Sequence, residues 1–322
     1  MDLTFFVESA AVLALSLIID GVFGEPPDRF HPTVWLGNLI DFLRPKLRNS
    51  NPRREKANGV ILCVGVALLF ALPVFLIVFL TRVFLGSIPY VIISAVLLKF
   101  TFALKFMGHY TLPIADALNR GDFEGAKRWL HFIVRRDPAT LDERLVVSAA
   151  VESIAESTTD GVTSSLFFFA LFGVPGAFVF RVVNTLDSMV GYRDAANVNL
   201  GWFSAKTDTV LNYVPARLTG ALMVLASLLL GESWRDSWRI MLRDRRNMTS
   251  INAGWTIGAM AGALGTRLEK LDVYRLGDEG ELKPEQIKRA LRIMALTVIL
   301  FSLTIIVPIL FLMGLLKSLI LC

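Results

Sequence analysis

Two long runs without a charged residue restrict this chain more than any other feature. Residues 57–81 and 293–316 contain no Asp, Glu, Lys or Arg. A helix needs about 20 apolar residues to cross a hydrocarbon core, and both runs exceed that. Backbone polar groups in lipid must pair within the segment, so such runs are helices. Composition agrees: 19% of the 322 residues are charged and 54% are apolar, against about a quarter charged in a soluble domain. The expectation is an all-α, polytopic integral membrane protein, read as one membrane domain over 1–322. It has about five to seven membrane-embedded helical segments, with re-entry open for some.

The clearest segments are 3–19, 59–84, 88–107 and 290–316. Leu85-Gly86-Ser87 joins the second to the third, which predicts a helical hairpin. Lys99 and Lys105, near the end of the third, have stems long enough to snorkel to the headgroups. Three segments are ambiguous. Residues 161–180 are interrupted by Gly173-Val174-Pro175-Gly176, 218–231 is short, and 247–266 is rich in small residues. In the last, Gly254, Gly258 and Gly262 recur every four residues, a spacing that permits close helix packing. Chance recurrence of a frequent residue is the alternative.

Between these segments lie polar loop regions at 22–58, 108–160, 181–217 and 232–289. Seven Lys or Arg fall in 22–58, six in 108–160 and eleven in 232–289. Basic residues beside apolar runs, within a net charge of +5, fit the cytoplasmic side of a bilayer and not a nucleic-acid partner. If all three basic regions are cytoplasmic, 181–217 faces outward; if 161–180 is re-entrant, it faces inward. The N-terminus opens Met1-Asp2 without a basic region, so 3–19 reads as a retained helix and not a cleaved signal. Cys63 and Cys322 offer no disulfide framework or metal spacing.

Chemistry concentrates in a few places. Thr140-Leu141-Asp142-Glu143 has the form of a capping box before a helix running to about 159. On that helix Arg144, Ser148, Glu152, Glu156 and Asp160 fall at steps of four and form one polar stripe. Like charges at this spacing repel by a few tenths of a kcal/mol each unless a cation lies between them. A divalent ion would serve. A solvated stripe is the plain alternative, but this one runs into an uncharged membrane segment, where carboxylates are expected to be functional.

Next comes Arg181-Val182-Val183-Asn184-Thr185-Leu186-Asp187-Ser188-Met189-Val190-Gly191-Tyr192-Arg193. Asn184 and Asp187 stand one turn apart with oxygens suited to magnesium, and Arg181 and Arg193 are candidates for phosphate. A polar turn between helices is the alternative. Asp208 and Asn212 share a face further on, between Lys206 and Arg217. Asp20-Gly21-Val22-Phe23-Gly24-Glu25-Pro26-Pro27 leads to His31-Pro32, where a structural role for the histidine is expected over a ligand role. No GxxxxGK[ST] loop, strand-linked GxGxxG, HExxH or CxxC occurs. A nucleotide would therefore be held by scattered Arg, Lys and carboxylates.

The order of these motifs resembles the adenosylcobinamide-phosphate synthase (CobD/CbiB) family of cobalamin biosynthesis. The pieces are Arg136-Asp137, 152–161, 184–193, 208–218 and Ser250-Ile251-Asn252-Ala253-Gly254, with 20–32 similar to the family's N-terminal motif. The resemblance spans 20 to about 264, and Asn184-Thr185-Leu186-Asp187-Ser188-Met189-Val190-Gly191-Tyr192 is its most specific part. It implies ATP- and Mg²⁺-dependent amide ligation. A carboxylate of adenosylcobyric acid, the corrinoid substrate, is joined to aminopropanol or its O-phosphate, in the cell membrane. The implied catalytic residues are Glu152, Glu156, Asp187 and Arg193. The implied substrate and phosphate contacts are Arg135, Arg136, Asn184, Ser188, Tyr192, Lys206, Arg217 and Asn252. The implied metal carboxylates are Glu152, Glu156, Asp160, Asp187 and Asp208. Other cobalamin-biosynthesis enzymes or a second copy of the chain are the implied protein partners. Ser157, Ser165, Thr207 and Ile251 depart from the family's usual residues, which leaves Ser157 and Thr207 doubtful as metal ligands. A cation-coupled transporter using Glu152, Glu156, Asp187 and Asp208 is the competing reading, but paired broken halves are missing from the sequence. A non-catalytic membrane scaffold is the third.

Overall fold

The computed structural model describes residues 3–134, 137–192, 194 and 197–320. Helix α1 (Leu3–Phe23) is apolar along most of its length. Helix α2 (Pro32–Leu47) starts where the His31 ring accepts from Thr33 N and Pro32 takes the first helical position. Asn51 does the same for α3 (Pro52–Phe84), its side chain accepting from the N–H groups of Arg53 and Arg54. Gly86, at φ 83°, turns the chain into α4 (Ser87–Lys99), so α3 and α4 form the expected helical hairpin.

Regions read as polar loops are largely helical. Helices α5 (Leu104–Asn119), α6 (Phe123–Leu130) and α7 (Glu143–Ser157) occupy most of 108–160. Their mixed composition hides a helical periodicity: α6 buries Gly125, Ala126 and Leu130 and turns its charges outward. The cap of α7 is Asp142, which accepts from Leu145 N at 2.8 Å. Thr140 instead closes a 3₁₀ turn, Pro138–Thr140, and Leu141 is extended, so the helix begins later than the capping-box reading expects.

A π-helical segment, Thr158–Thr163, follows α7 and leads to α8 (Ser164–Val190). Gly173, at φ 69° and ψ −167°, kinks α8 where the sequence shows its Gly/Pro interruption. Then come α9 (Trp202–Leu211), α10 (Tyr213–Leu229), α11 (Trp234–Asp244) and α12 (Ala253–Leu264). A hairpin of β1 (Leu268–Lys270) and β2 (Tyr274–Leu276) precedes α13 (Glu285–Phe301) and α14 (Val307–Ile320). Among the described residues these are the only strands, so the chain is all-α in class.

Five helical stretches are long and apolar enough to cross a membrane: Thr4–Phe23, Pro52–Phe84, Ser87–Asn119, Glu143–Val190 and Glu285–Leu319. The pair Trp202–Leu211 and Tyr213–Leu229, bent by 46°, makes a sixth if it counts as one span. Helix α12 is too short to span alone.

Chain contacts divide the protein into two compact units. The first comprises Met1–Ala103, Ser164–Leu211 and Thr304–Cys322; the second comprises Leu104–Thr163 and Asn212–Leu303. In the first, Leu36 and Ile40 of α2, Leu62, Cys63 and Val66 of α3, and Val182, Val183, Leu186 and Val190 of α8 form one apolar core. In the second, α7 is buried nearly all round, packing on α12, α13, α5 and β1. The glycine stripe of α12 is a packing device, as its spacing predicts. A Cβ at Gly254 would overlap the Arg245 carbonyl, and one at Gly262 would overlap the Asp236 carbonyl, so α11 and α12 touch backbone to backbone.

Candidate active site

The first unit holds its polar groups on α8. Val182, Val183, Leu186 and Val190 face the core, which leaves Arg181, Asn184, Asp187 and Ser188 on other faces of the same helix. Asn184, only 8% exposed, donates from Nδ2 to Asp208 Oδ1 at 3.1 Å. These two residues are 24 positions apart in sequence and are brought together by α8 packing on α9. Asp187 lies against Gly191, whose missing side chain makes room for its carboxylate, and Gly191 N donates to Asp187 O at 2.8 Å. Tyr192 is exposed, and so is Lys206.

Arg181 has a different role from the one its sequence position suggests. Its Nε donates to Thr101 O at 2.6 Å, and its terminal nitrogens reach Asn184 Oδ1 at 3.3 Å and Ser165 Oγ at 3.4 Å. The guanidinium thus orders Asn184 and the turn after α4. Thr207 donates to Phe203 O within its own helix.

The same unit contains a charge network that the sequence hides. Lys99 is 2% exposed. Its Nζ lies 3.1 Å from Asp20 Oδ1, 2.6 Å from Glu25 Oε1 and 3.5 Å from Phe102 O. It does not snorkel, because α1 and the loop after it bring two carboxylates to its ammonium. The second oxygen of Glu25 accepts from His31 Nε2 at 2.8 Å, while His31 Nδ1 caps α2. His31 is therefore structural, as expected. Only its unprotonated Nδ1 can accept from Thr33, which assigns the proton to Nε2.

The second unit holds the stripe of α7, and the β hairpin covers it. Ser148 is 1% and Glu152 5% exposed, so the stripe is not solvated there. Ser148 Oγ donates to Glu152 Oε1 at 2.6 Å and accepts from Glu269 N at 2.9 Å. The Tyr274 hydroxyl donates to Glu152 Oε2. Arg144 pairs with Glu269, which also lies 3.1 Å from Arg275 Nε. Both Glu152 oxygens therefore accept, and the carboxylate is held in one orientation. Glu156 is exposed, and Asp160 sits half-buried in the π segment, off the straight α-helical register. Arg217 and Asn252 also meet in this unit: Arg217 donates to Asn252 Oδ1 at 3.2 Å and stacks 3.4 Å from the Tyr213 ring centroid. Arg135, Arg136 and Arg193 lie outside the described residues.

The implied residues thus fall into two sets. Asn184, Asp187, Ser188, Tyr192, Lys206 and Asp208 belong to the first unit; Glu152, Glu156, Asp160, Arg217 and Asn252 belong to the second. Tyr274 escaped sequence reading because it matches no motif. Ser148 stands on the stripe and Lys99 reads as a helix-end lysine, but neither pattern shows the partners that fix their roles. Among the described residues, no group of three or more His, Cys, Asp or Glu is placed to hold a metal ion. A cage made of protein alone is therefore absent from them. Carboxylates in ones and twos do suit magnesium, which keeps waters and shares substrate phosphates.

Fold and polar centres together define the class: a polytopic helical membrane protein that keeps carboxylates and their partners inside its helix packing. The chain belongs to the CobD/Cbib family, whose model, described as CobD/Cbib protein, matches residues 13–294. It is 44% identical over 298 residues to the probable cobalamin biosynthesis protein CobD of Methanothermobacter thermautotrophicus, covering 92% of this chain and 97% of the relative. It is 43% identical over 270 residues to the cobalamin biosynthesis protein CobD of Geobacter metallireducens, covering 83% of each. It is 39% identical over 304 residues to the probable CobD of Thermoplasma volcanium, covering 94% of this chain and 98% of that one. No solved structure matches. The chain is thus a cobalamin biosynthesis protein of the CobD family with several membrane-spanning helices.

Proposed function

We propose that the protein is an ATP- and Mg²⁺-dependent ligase of the cell membrane. It would join a carboxylate of adenosylcobyric acid to aminopropanol or its O-phosphate, giving adenosylcobinamide or its phosphate. The observation that carries this reading is the Asn184–Asp208 hydrogen bond at 3.1 Å. It assembles two parts of the family-like pattern into one buried polar centre beside Asp187.

The chemistry explains why such groups are needed. A carboxylate is a poor electrophile, because its oxygen leaves badly. The corrinoid carboxylate oxygen attacks the terminal phosphorus of ATP, the bond from that phosphorus to the bridging oxygen breaks, and ADP departs with the electron pair. The amine nitrogen then attacks the acyl carbon, the bond from carbon to phosphate oxygen breaks, and inorganic phosphate leaves. The nitrogen gives up its proton to a carboxylate, for which Asp187 is the candidate. Asn184, Asp187 and Asp208 would hold the magnesium, which neutralises and orients the phosphates when bound. Fixed polar groups lower the barrier because they need not reorganise during reaction. An acyl phosphate must be kept from water, and Leu166 and Phe169 of α8, both buried, are the proposed apolar wall.

Hydroxylamine tests the route. Given with ATP and the corrinoid acid in place of the amine, it is expected to yield a corrinoid hydroxamate with ADP and phosphate. AMP and pyrophosphate would instead establish adenylation. No hydroxamate, and no amide with either amine, would refute the ligase reading.

A further inference from the structure

Helix α8 does not run straight through its break at Gly173. Ser165 and Arg181 stand 16 residues apart, which is about 24 Å along a continuous helix. Yet Arg181 Nη2 lies 3.4 Å from Ser165 Oγ, and the Phe168 and Phe180 rings stack at 5.4 Å between centroids. The two arms of α8 therefore fold back on each other, and Thr101, fully buried, lies at their open end. Its carbonyl accepts from Ser165 Oγ and from Arg181 Nε, both at 2.6 Å, which uses both of its lone pairs.

The turn that offers this carbonyl is fixed from its other side. Thr101 Oγ1 donates to Leu98 O at 2.7 Å, and Lys99 Nζ reaches Phe102 O at 3.5 Å. Lys99 in turn holds Asp20 and Glu25. The motif at 20–32, which the proposed reaction leaves without a task, thus braces the anchor point of Arg181. All of these residues belong to the first unit.

Hydrogen-bond chemistry then decides how Asn184 is turned. A guanidinium has donors only, so the Asn184 atom that meets Arg181 at 3.3 Å is Oδ1. Nδ2 is left to face Asp208 Oδ1, at 3.1 Å, where the carboxylate accepts. Both contacts assign the same amide orientation. We infer that Arg181 is a positioning residue: it anchors on the Thr101 carbonyl, turns the Asn184 amide, and through that amide aims the Asp208 carboxylate at a divalent cation. Asn184 serves that centre by holding Asp208. The cation rests on the magnesium of the proposed ligase; the orientation of the amide does not. Lysine cannot stand in for Arg181, because a single ammonium lacks the planar fork that reaches Thr101 O and Asn184 Oδ1 together.

The test uses the full chain, purified in detergent, with Mn²⁺ as the probe and electron paramagnetic resonance as the readout. Asp208→Asn marks the site by losing Mn²⁺ that wild type binds. Arg181→Lys keeps the charge and is expected to bind that Mn²⁺ about tenfold more weakly, a loss typical of an outer partner of a metal ligand. Asn184→Ala should show a similar loss. In the Asn184→Ala background Arg181→Lys should then cost nothing more, because its route to Asp208 is already cut. Val12→Ala, at a buried position of α1, should lower the melting temperature and leave Mn²⁺ affinity unchanged, which separates positioning from packing. If Arg181→Lys does not fold, Arg181→Gln carries the same expectation, although it removes a charge that repels the cation. Unchanged affinity at position 181, a further loss in the double variant, or an equal loss in Val12→Ala would overturn the inference. A wild type without Asp208-dependent Mn²⁺ binding would also overturn it, and amide formation by that protein would leave the ligase standing. Mn²⁺ bound in the expected pattern by a protein that makes no amide refutes the ligase and leaves the positioning role.

Discussion

Lys99 shows how far one residue's role depends on what the fold brings to it. Burial alone pushes the Glu25 carboxyl up, but hydrogen bonds from His31 and Lys99 outweigh it and hold the group below its ordinary value. Removing the ammonium would leave Asp20 and Glu25 facing each other without a cation. Breaking a buried pair costs about 3–5 kcal/mol. Lys99→Met is therefore expected to lower the melting temperature in detergent sharply, with Lys99→Arg falling between the two. A melting temperature equal to wild type would mean the network contributes nothing to stability. Gly191 is the second residue with a clear consequence. Its α-carbon faces the Asp187 carboxylate so closely that any side chain must displace it. Gly191→Ala should cut turnover by tenfold or more (about 1.4 kcal/mol at the barrier) while the protein still melts as a folded species. Full activity in that variant would separate Asp187 from the reaction.

Helices α11 and α12 carry the element-scale argument. Their backbones touch through Gly254, Gly258 and Gly262, and Gly258 faces the Met241 backbone. Gly258→Leu should push the helices apart and destabilise the second unit by about 1–3 kcal/mol or more, the cost of an overpacked core. Proteolysis in detergent would read this as faster cleavage between 232 and 266. The outer face of α11 is held by charge: Arg239 and Arg243 reach Asp278 at 2.6 and 2.7 Å, and Arg243 reaches Asp244 at 2.6 Å. Burial raises the Asp244 carboxyl, but bonds from Arg243 and Gly277 N prevail and lower it. Asp278 is also lowered, chiefly by Arg239 and then Arg243. A carboxyl depressed in the folded state adds stability above its unfolded value, about pH 4, and loses it as pH falls through the folded value. Stability should stay level from neutral pH to about 5 and decline below about 4, and Asp244→Asn should shrink that acid decline. A decline of unchanged size in the variant would exclude Asp244 as a contributor.

At the scale of the whole molecule, the proposed function constrains which side of the membrane the α8 polar face meets. ATP is cytoplasmic, so the proposed function requires that face to be cytoplasmic, although the count of basic residues favours the opposite side. Cysteine placed at Ser188, with Cys63 and Cys322 removed, should resist a membrane-impermeant thiol reagent in intact cells and react in inverted vesicles. Labelling from outside intact cells would remove cytoplasmic ATP from the reaction at this site.

The sequence alone determined the class of fold. Uncharged runs long enough to span a bilayer leave no alternative to helices, because lipid offers the backbone no partner. The Gly86 reversal, the Gly173 break and the α12 glycine stripe were readable for a similar reason: glycine marks backbone that a side chain would obstruct. The family-like order of polar motifs also pointed to Asn184, Asp187 and Asp208 before any geometry was known. What only the tertiary structure decided is who meets whom. Period and composition placed Glu152 on a stripe, but the hairpin residue Tyr274, 122 positions away, turned the stripe into a buried, oriented carboxylate. Lys99 and Arg181 looked like free cations, and became internal clamps because α1 and the turn after α4 supply their acceptors. A side chain's partners depend on long-range packing, and local pattern carries no record of that packing.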